Sequence, residues 1–286
     1  MKSEYTWGEL LARGNELLTH AGIEDSIDDA KYLFCEYFKT DHAGLLLNRQ
    51  REAVPEQAMG YLSWIKERAE GCPAQYIVGV QCFMGLDFKV TPHVLIPRMD
   101  TEVLVDTMLQ ELPSESFGAD ICTGSGCIAI SLAKLGRHKL LATDISVDAL
   151  AVARENAAAI QPQYDLQFFR GDLLLALPQQ YKGQLDFIVS NPPYIPTKEI
   201  DELDVNVKDY EPRLALDGGQ DGLDFYRRLA ADAQEYLKPG GYLYFEIGCE
   251  QGDDLRHILE AVGMRSIRIL QDFGHRDRIA AAQKPQ

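Results

Sequence analysis

Asn191-Pro192-Pro193-Tyr194 combines residue types that can act together on one kind of chemical group. The segment follows QLDFIVS, an apolar run of strand character. Its two prolines remove two backbone donors and fix φ near −65°, so the carbonyls that remain are held rigidly. Asn191 adds a side-chain carbonyl oxygen, and Tyr194 adds an aromatic face on which a flat amide or base can pack. Converging acceptors beside a ring suit a planar NH2 group, holding its N–H bonds and aiming its nitrogen lone pair at an electrophile. A structural Pro-Pro turn is the plainer reading, and a glycine loop upstream weighs against it.

That loop is Asp120-Ile121-Cys122-Thr123-Gly124-Ser125-Gly126, which ends one apolar run and opens the amphipathic CIAISLAKLG. Its two glycines let the backbone turn tightly and approach a ligand closely. Gly124-x-Gly126-x-x-Ala129 also fits the dinucleotide fingerprint, so a nicotinamide oxidoreductase is one reading. Asp120 favours S-adenosylmethionine instead: a carboxylate just before the glycines repels a pyrophosphate and suits a cationic amino acid moiety. Asp144, closing LLATD about 20 residues on, is placed for the ribose hydroxyls of either cofactor. Asp172, in FFRGDL, either accepts from an adenine amino group or caps a helix.

These loops need a scaffold that brings strand ends together. From about Phe117 the pattern alternates strand and helix: GADICTGSG with CIAISLAKLG, KLLATDIS with VDALAVARENAAAI, then LQFFRGDLL, QLDFIVSN, GGYLYFEIG, MRSIRILQDF and RDRIAAAQ. Such alternation predicts an α/β fold, a doubly wound, mostly parallel sheet covered on both faces. The last two strands lack a helix between them and so pair antiparallel. In such a sheet ligands bind outside the carboxyl ends of the strands, where the strand order reverses. Ahead of it, residues 1–73 read as a small helical bundle, with Thr6-x-x-Glu9 a capping box and Ser26-x-x-Asp29 starting a second helix. Residues 74–97 read as a β-hairpin linker turning at Met84-Gly85, and 98–286 as the catalytic domain. Arg98 and Glu102, after the hairpin, either help close the site or pair at a helix start. Glu246, at a strand end, is left outside the site.

The 286 residues carry a formal charge of −16, and both parts are acidic: residues 1–75 hold 8 Lys/Arg against 13 Asp/Glu, the remainder 20 against 31. A chain that grips a phosphate backbone shows a cationic stripe, so direct nucleic-acid binding is not expected. The six cysteines form no CxxC pair and no zinc spacing, which points to reduced thiols and no metal. With no membrane-length apolar run and no signal-type core in MKSEYTWGELL, the expectation is a cytoplasmic protein without a membrane partner.

The NPPY segment resembles the amino-group methyltransferases, whose members act on DNA, RNA or protein glutamine. PAQYIVG, FMGLDFKVTPHVLIPRMDTEVLV, DICTGSGCIAI, DISVDALAVARENA, DFIVSNPPYIP, YEPRLALDGGQDGLDFYRRL, LKPGGYLYFEIG and GHRDRI together resemble the release-factor glutamine N5-methyltransferase (HemK-like) family. The resemblance runs from about Pro73 to the C-terminus, and the acidic bundle suits the family's partner-binding domain. It implies a class I methyltransferase fold. It also implies methyl transfer from S-adenosylmethionine to the glutamine amide in the GGQ loop of class I peptide-chain release factors. The family's cofactor loop falls on Cys122, Thr123, Gly124, Ser125 and Gly126, its ribose acid on Asp144, and its substrate motif on Asn191, Pro192, Pro193 and Tyr194. Cys122 replaces the loop's usual first glycine, so its side chain has to point away from the cofactor. Leu173 stands where some members carry an aromatic near the adenine, and Met99 replaces a proline. The enzyme's own Gly218-Gly219-Gln220 reads as a loop, not a substrate. An amino-group methyltransferase acting on DNA or RNA is the alternative.

Overall fold

The computed structural model describes residues 5–286. They form two compact units, the chain as far as Val80 with Asp204–Tyr210, and Gln81–Leu203 with Glu211–Gln286. The first unit contains α1 (Trp7–His20), α2 (Ser26–Phe38), α3 (His42–Leu47), α4 (Pro55–Ala69) and α5 (Ala74–Val78). Thr6 makes the expected capping box: its Oγ1 accepts from Glu9 N at 3.3 Å, and Glu9 Oε2 accepts from Thr6 N at 2.8 Å. Ser26 does not cap α2. It is the first helical residue, and its hydroxyl donates to Asn15 Oδ1 of α1 at 3.0 Å. Trp7, Leu10, Phe34, Tyr61 and Ile65 form the core, with Phe34 stacked on Phe38; each such buried side chain stabilises by roughly 1.5–3 kcal/mol.

The hairpin follows as β1 (Val80–Phe83) and β2 (Leu86–Lys89), turning through Met84 and Gly85, both at positive φ. The residues leading into it do not extend the hairpin but wind into α5, which ends where Gly79 takes φ 81°. Then come α6 (Met99–Glu111), β3 (Phe117–Ile121), α7 (Cys127–Leu135), β4 (Lys139–Asp144), α8 (Val147–Ile160), β5 (Leu166–Arg170) and β6 (Leu185–Ser190). The short α9 (Val205–Lys208) belongs to the first unit. The chain ends with α10 (Asp224–Tyr236), β7 (Leu237–Glu246), α11 (Gly252–Ala261), β8 (Arg265–Gln271) and β9 (Asp277–Gln283).

The large sheet has the order β5-β4-β3-β6-β7-β9-β8. Strands β3 to β7 run parallel, and β9 is antiparallel to both β7 and β8. Side-chain alternation divides each strand between two cores, as a period of two requires. Ile188 and Phe245 face the layer of α10 and α11, whereas Phe187, Val189 and Tyr244 face α6 and α7. Gly118 in β3 has no side chain because the Phe187 ring fills that space; a Cβ there would lie 2.4 Å from it.

The chain moves outward from β3 to β4 to β5, then returns to place β6 on the other side of β3. Strand order therefore reverses between β3 and β6, with Ile121 opposite Ser190. The glycine loop and the Asn-Pro-Pro-Tyr segment leave the sheet side by side.

Candidate functional site

A cavity of about 400 Å³ opens at that reversal point. Cys122, Thr123, Gly124, Ser125 and Asp144 line one side, Asp172 and Leu173 another, and Asn191 and Pro193 a third. Asp120, Gly126, Pro192 and Tyr194, also singled out from the sequence, contribute to the loops but not to this wall.

The glycine loop is held from below. Asp120 is wholly buried, and its Oδ2 accepts from Thr123 Oγ1 at 2.6 Å and from Ala129 N, in the first turn of α7, at 3.2 Å. The carboxylate expected to face the cationic end of a cofactor thus fastens the loop to the helix, and burial pushes its pKa up to about 7. Asp144 lies on the cavity side. It accepts from Gly124 N and Ser146 N, both at 2.9 Å, and desolvation outweighs those amides to raise its pKa. Cys122 takes φ 62°, packs on the core beside Ser190 and lines the cavity. Burial pushes its thiol pKa up.

Asn156 of α8 is a support the sequence reading missed. Its amide donates to Ser125 O at 2.9 Å and to Lys89 O at 3.0 Å while accepting from Lys89 N at 2.7 Å, tying loop, helix and hairpin together. A buried asparagine within the alanine-rich ARENAAAI was the available signal. Asp172 is ion-paired through Oδ2 with Arg228, and Leu173, at φ 51°, turns its backbone along the wall.

On the opposite side, Asn191 Nδ2 donates to Thr101 Oγ1, in the first turn of α6, at 3.3 Å. Pro192 is buried, and the Tyr194 ring packs against the core layer of α10 and α11 rather than facing the cavity. The backbone after it is braced by residues 216–222. Ile195 N donates to Leu216 O, Gly218 N to Ile195 O and Thr197 N to Gly219 O. Gly218 and Gly222 permit the contact: a Cβ on Gly218 would lie 2.7 Å from Tyr194 Cα, and one on Gly222 2.3 Å from Tyr194 O. Gln251 Nε2 closes the brace, donating to Tyr194 O and Gly222 O. Arg98 reaches the cavity wall and is ion-paired with the buried Glu211, whereas Glu102 accepts from Met84 N and holds the hairpin.

The wall fits S-adenosylmethionine. Gly124 leaves open space where a side chain would stand, with nothing within 4 Å of an added Cβ. Asp144 offers a carboxylate to ribose hydroxyls, and Thr143 Oγ1 is buried on the wall without a hydrogen-bond partner among the described residues. Among the described residues no cluster of His, Cys, Asp and Glu could hold a metal, and no helix is long and apolar enough to cross a membrane.

Fold and site together define a class I S-adenosylmethionine-dependent methyltransferase. The chain is 44% identical over 284 residues, 98% of its length and 99% of the relative's, to the release factor glutamine methyltransferase of Moorella thermoacetica. It belongs to the release factor glutamine methyltransferase family. The Clostridium acetobutylicum protein of the same name is 39% identical over 96% of this chain and 97% of its own. The PrmC N-terminal domain family matches residues 9–79, and the methyltransferase small domain family matches 98–206. A methyltransferase structure from Pyrococcus furiosus shares the fold, with a TM-score of 0.55 at 19% identity over 71% of this chain and 91% of that one.

Proposed function

We infer that this chain transfers a methyl group from S-adenosylmethionine to the side-chain amide nitrogen (N5) of the glutamine in the GGQ loop of class I peptide-chain release factors. One observation carries the reading: the glycine loop after β3 and Asn191 and Pro193 after β6 line a single cavity at the reversal point of the sheet. S-adenosylmethionine supplies an electrophilic methyl group on a sulfonium sulfur. Asp144 takes the ribose hydroxyls, and Gly124 and Ser125 leave backbone space for the amino acid portion. Leu173 and Asp172 border the adenine. Asn191 Oδ1 and the Pro192 carbonyl accept the two N–H bonds of the substrate amide. An amide nitrogen is a poor nucleophile because its lone pair is delocalised, so orientation and charge complementarity supply the rate.

Residues 1–73 serve as the partner-binding bundle, 74–97 as the linker and 98–286 as the methyltransferase domain. The enzyme works in the cytoplasm and needs no direct contact with nucleic acid, in keeping with its charge of −16.

The test is incubation with labelled S-adenosylmethionine and a purified class I release factor, beside a factor whose GGQ is changed to GGA. Label enters only the unaltered factor. Label in neither, with cofactor binding intact, overturns the substrate and makes total RNA and DNA the next acceptors.

A further inference from the structure

Glu246 ends β7 beside Asn191, since Ser190 pairs with Phe245 in the parallel register of β6 and β7. It is almost wholly buried, and its strand neighbours fix it in place: Ile279 of β9 lies opposite, and the Tyr226 hydroxyl donates to its backbone carbonyl at 2.7 Å. The Arg278 guanidinium is ion-paired with Asp100 and Asp272. Burial disfavours the charged form of Glu246, Asp100 opposes that form as well, and the side chains of Thr101 and Asn191 together with the Arg278 charge favour it. Its Oε2 has no partner among the described residues.

The two ends of a carboxamide differ only in that one accepts and the other donates, so neighbours decide which end faces a ligand. Asn191 Nδ2 donates to Thr101 Oγ1. A hydroxyl that accepts this bond keeps one proton to give, and a carboxylate, which only accepts, is the group beside it. We propose that Glu246 is a positioning residue: it accepts the hydrogen bond of the Thr101 hydroxyl, and the Thr101 lone pair thereby holds the Asn191 NH2 inward and its carbonyl oxygen toward the cavity. The inference rests on the methyltransferase reading, in which the amide of the substrate needs an acceptor at Asn191. With the polarity reversed, Asn191 presents NH2 to NH2.

The chain of donors can be run backwards. In Glu246→Gln the new amide can donate to Thr101, whose proton then goes to Asn191 Oδ1 and turns the asparagine the wrong way. In Asn191→Asp with Glu246 intact, two carboxylates compete for one hydroxyl proton. In the double variant Gln at 246 donates to Thr101, Thr101 donates to Asp at 191, and an acceptor oxygen faces the cavity again. Glu246→Gln is expected to lower kcat by about 10-fold to 10²-fold in the natural chain, with S-adenosylmethionine affinity and KM for the factor little changed. In the Asn191→Asp background the same change is expected to raise kcat. Thr101→Val is expected to lose kcat, and Thr101→Ser to recover most of that loss. Equal loss from Glu246→Gln in both backgrounds overturns the proposal, because a merely structural glutamate gives additive effects.

A readout independent of turnover is the side-chain amide of Asn191, followed by 15N-resolved hydrogen exchange. Slow exchange in the natural chain that becomes fast in Thr101→Val and Glu246→Gln is the expected result, and unchanged exchange overturns the proposal. A natural chain that exchanges slowly at Asn191 yet transfers no label to release factors separates failure of the substrate reading from failure of this one.

Discussion

Asp144 closes β4 and Asn191 follows β6, on either side of β3, and both line the cavity, so their removal is expected to fail in different ways. Asn191→Ala deletes a positioned acceptor and should lower turnover roughly 10²-fold or more, by analogy with loss of one aimed polar group. S-adenosylmethionine affinity by calorimetry should be largely kept, and natural turnover in this variant would sink the role. Asp144→Ala should weaken S-adenosylmethionine far more than the release factor; unchanged cofactor affinity would contradict the ribose assignment. Asp120 makes a thermodynamic prediction instead. Burial pushes its pKa up to about 7, against an ordinary value near 3.9 in the unfolded chain. Between those values the folded chain holds a proton that the unfolded chain has lost, so this group lowers stability as pH rises from about 4 to about 7, and no further above that. Asp120→Asn keeps an acceptor for Thr123 and Ala129 and removes that slope. In urea unfolding of the ligand-free protein, its stability relative to the natural chain should improve from pH 5 to pH 8 by about 2–3 kcal/mol. Glu246, also pushed up to about 7, contributes a similar slope that the variant leaves in place. A difference that does not vary with pH would refute the account of Asp120.

At the scale of elements, the site depends on loops meeting, and the brace of residues 216–222 holds one of them. Gly222 combines φ 76° with a Cβ position 2.3 Å from Tyr194 O, so Gly222→Ala forces the backbone apart. The expected result is a stability loss of about 1–3 kcal/mol and a fall in turnover larger than any fall in cofactor affinity. Equal turnover would mean that the brace does not position Asn191. The sheet was legible in the sequence because strand and helix periods alternate from Phe117 onward and the strand ends carry Asp120, Asp144 and Asn191. The supports were not. Asn156, Thr101 and Glu246 act on partners far along the chain, and no periodicity marks a polar residue whose role comes from what lies across from it. Asp120 was misplaced for a related reason: a carboxylate at a strand end reads the same whether it turns toward the cavity or beneath the loop. The packing of Asp204–Tyr210 with the N-terminal unit was hidden too, since DVNVKDY carries neither a helical stripe nor a turn signal.

For the whole molecule, charge matters most. A formal charge of −16 makes the folded chain repel itself, while its exposed ion pairs, such as Arg13–Glu16, contribute little each. Screening should therefore stabilise: raising NaCl from about 20 to about 300 mM at pH 7.5 should raise the unfolding midpoint by about 2–4 °C, which corresponds to about 1 kcal/mol for a chain of this size class. A midpoint that falls would assign the larger share to attractive pairs.

Gly218-Gly219-Gln220 spells, within the enzyme, the tripeptide assigned to its substrate. Its backbone is already committed, with Gly218 N bound to Ile195 O, Gly219 O taken by Thr197 N and Gly218 packed against Tyr194, while Gln220 projects outward. The catalyst thus tells self from substrate by conformation rather than by spelling. A tripeptide bound in this way is not free to extend, so the enzyme is expected to carry this sequence without methylating itself, and label recovered on its own Gln220 would contradict that.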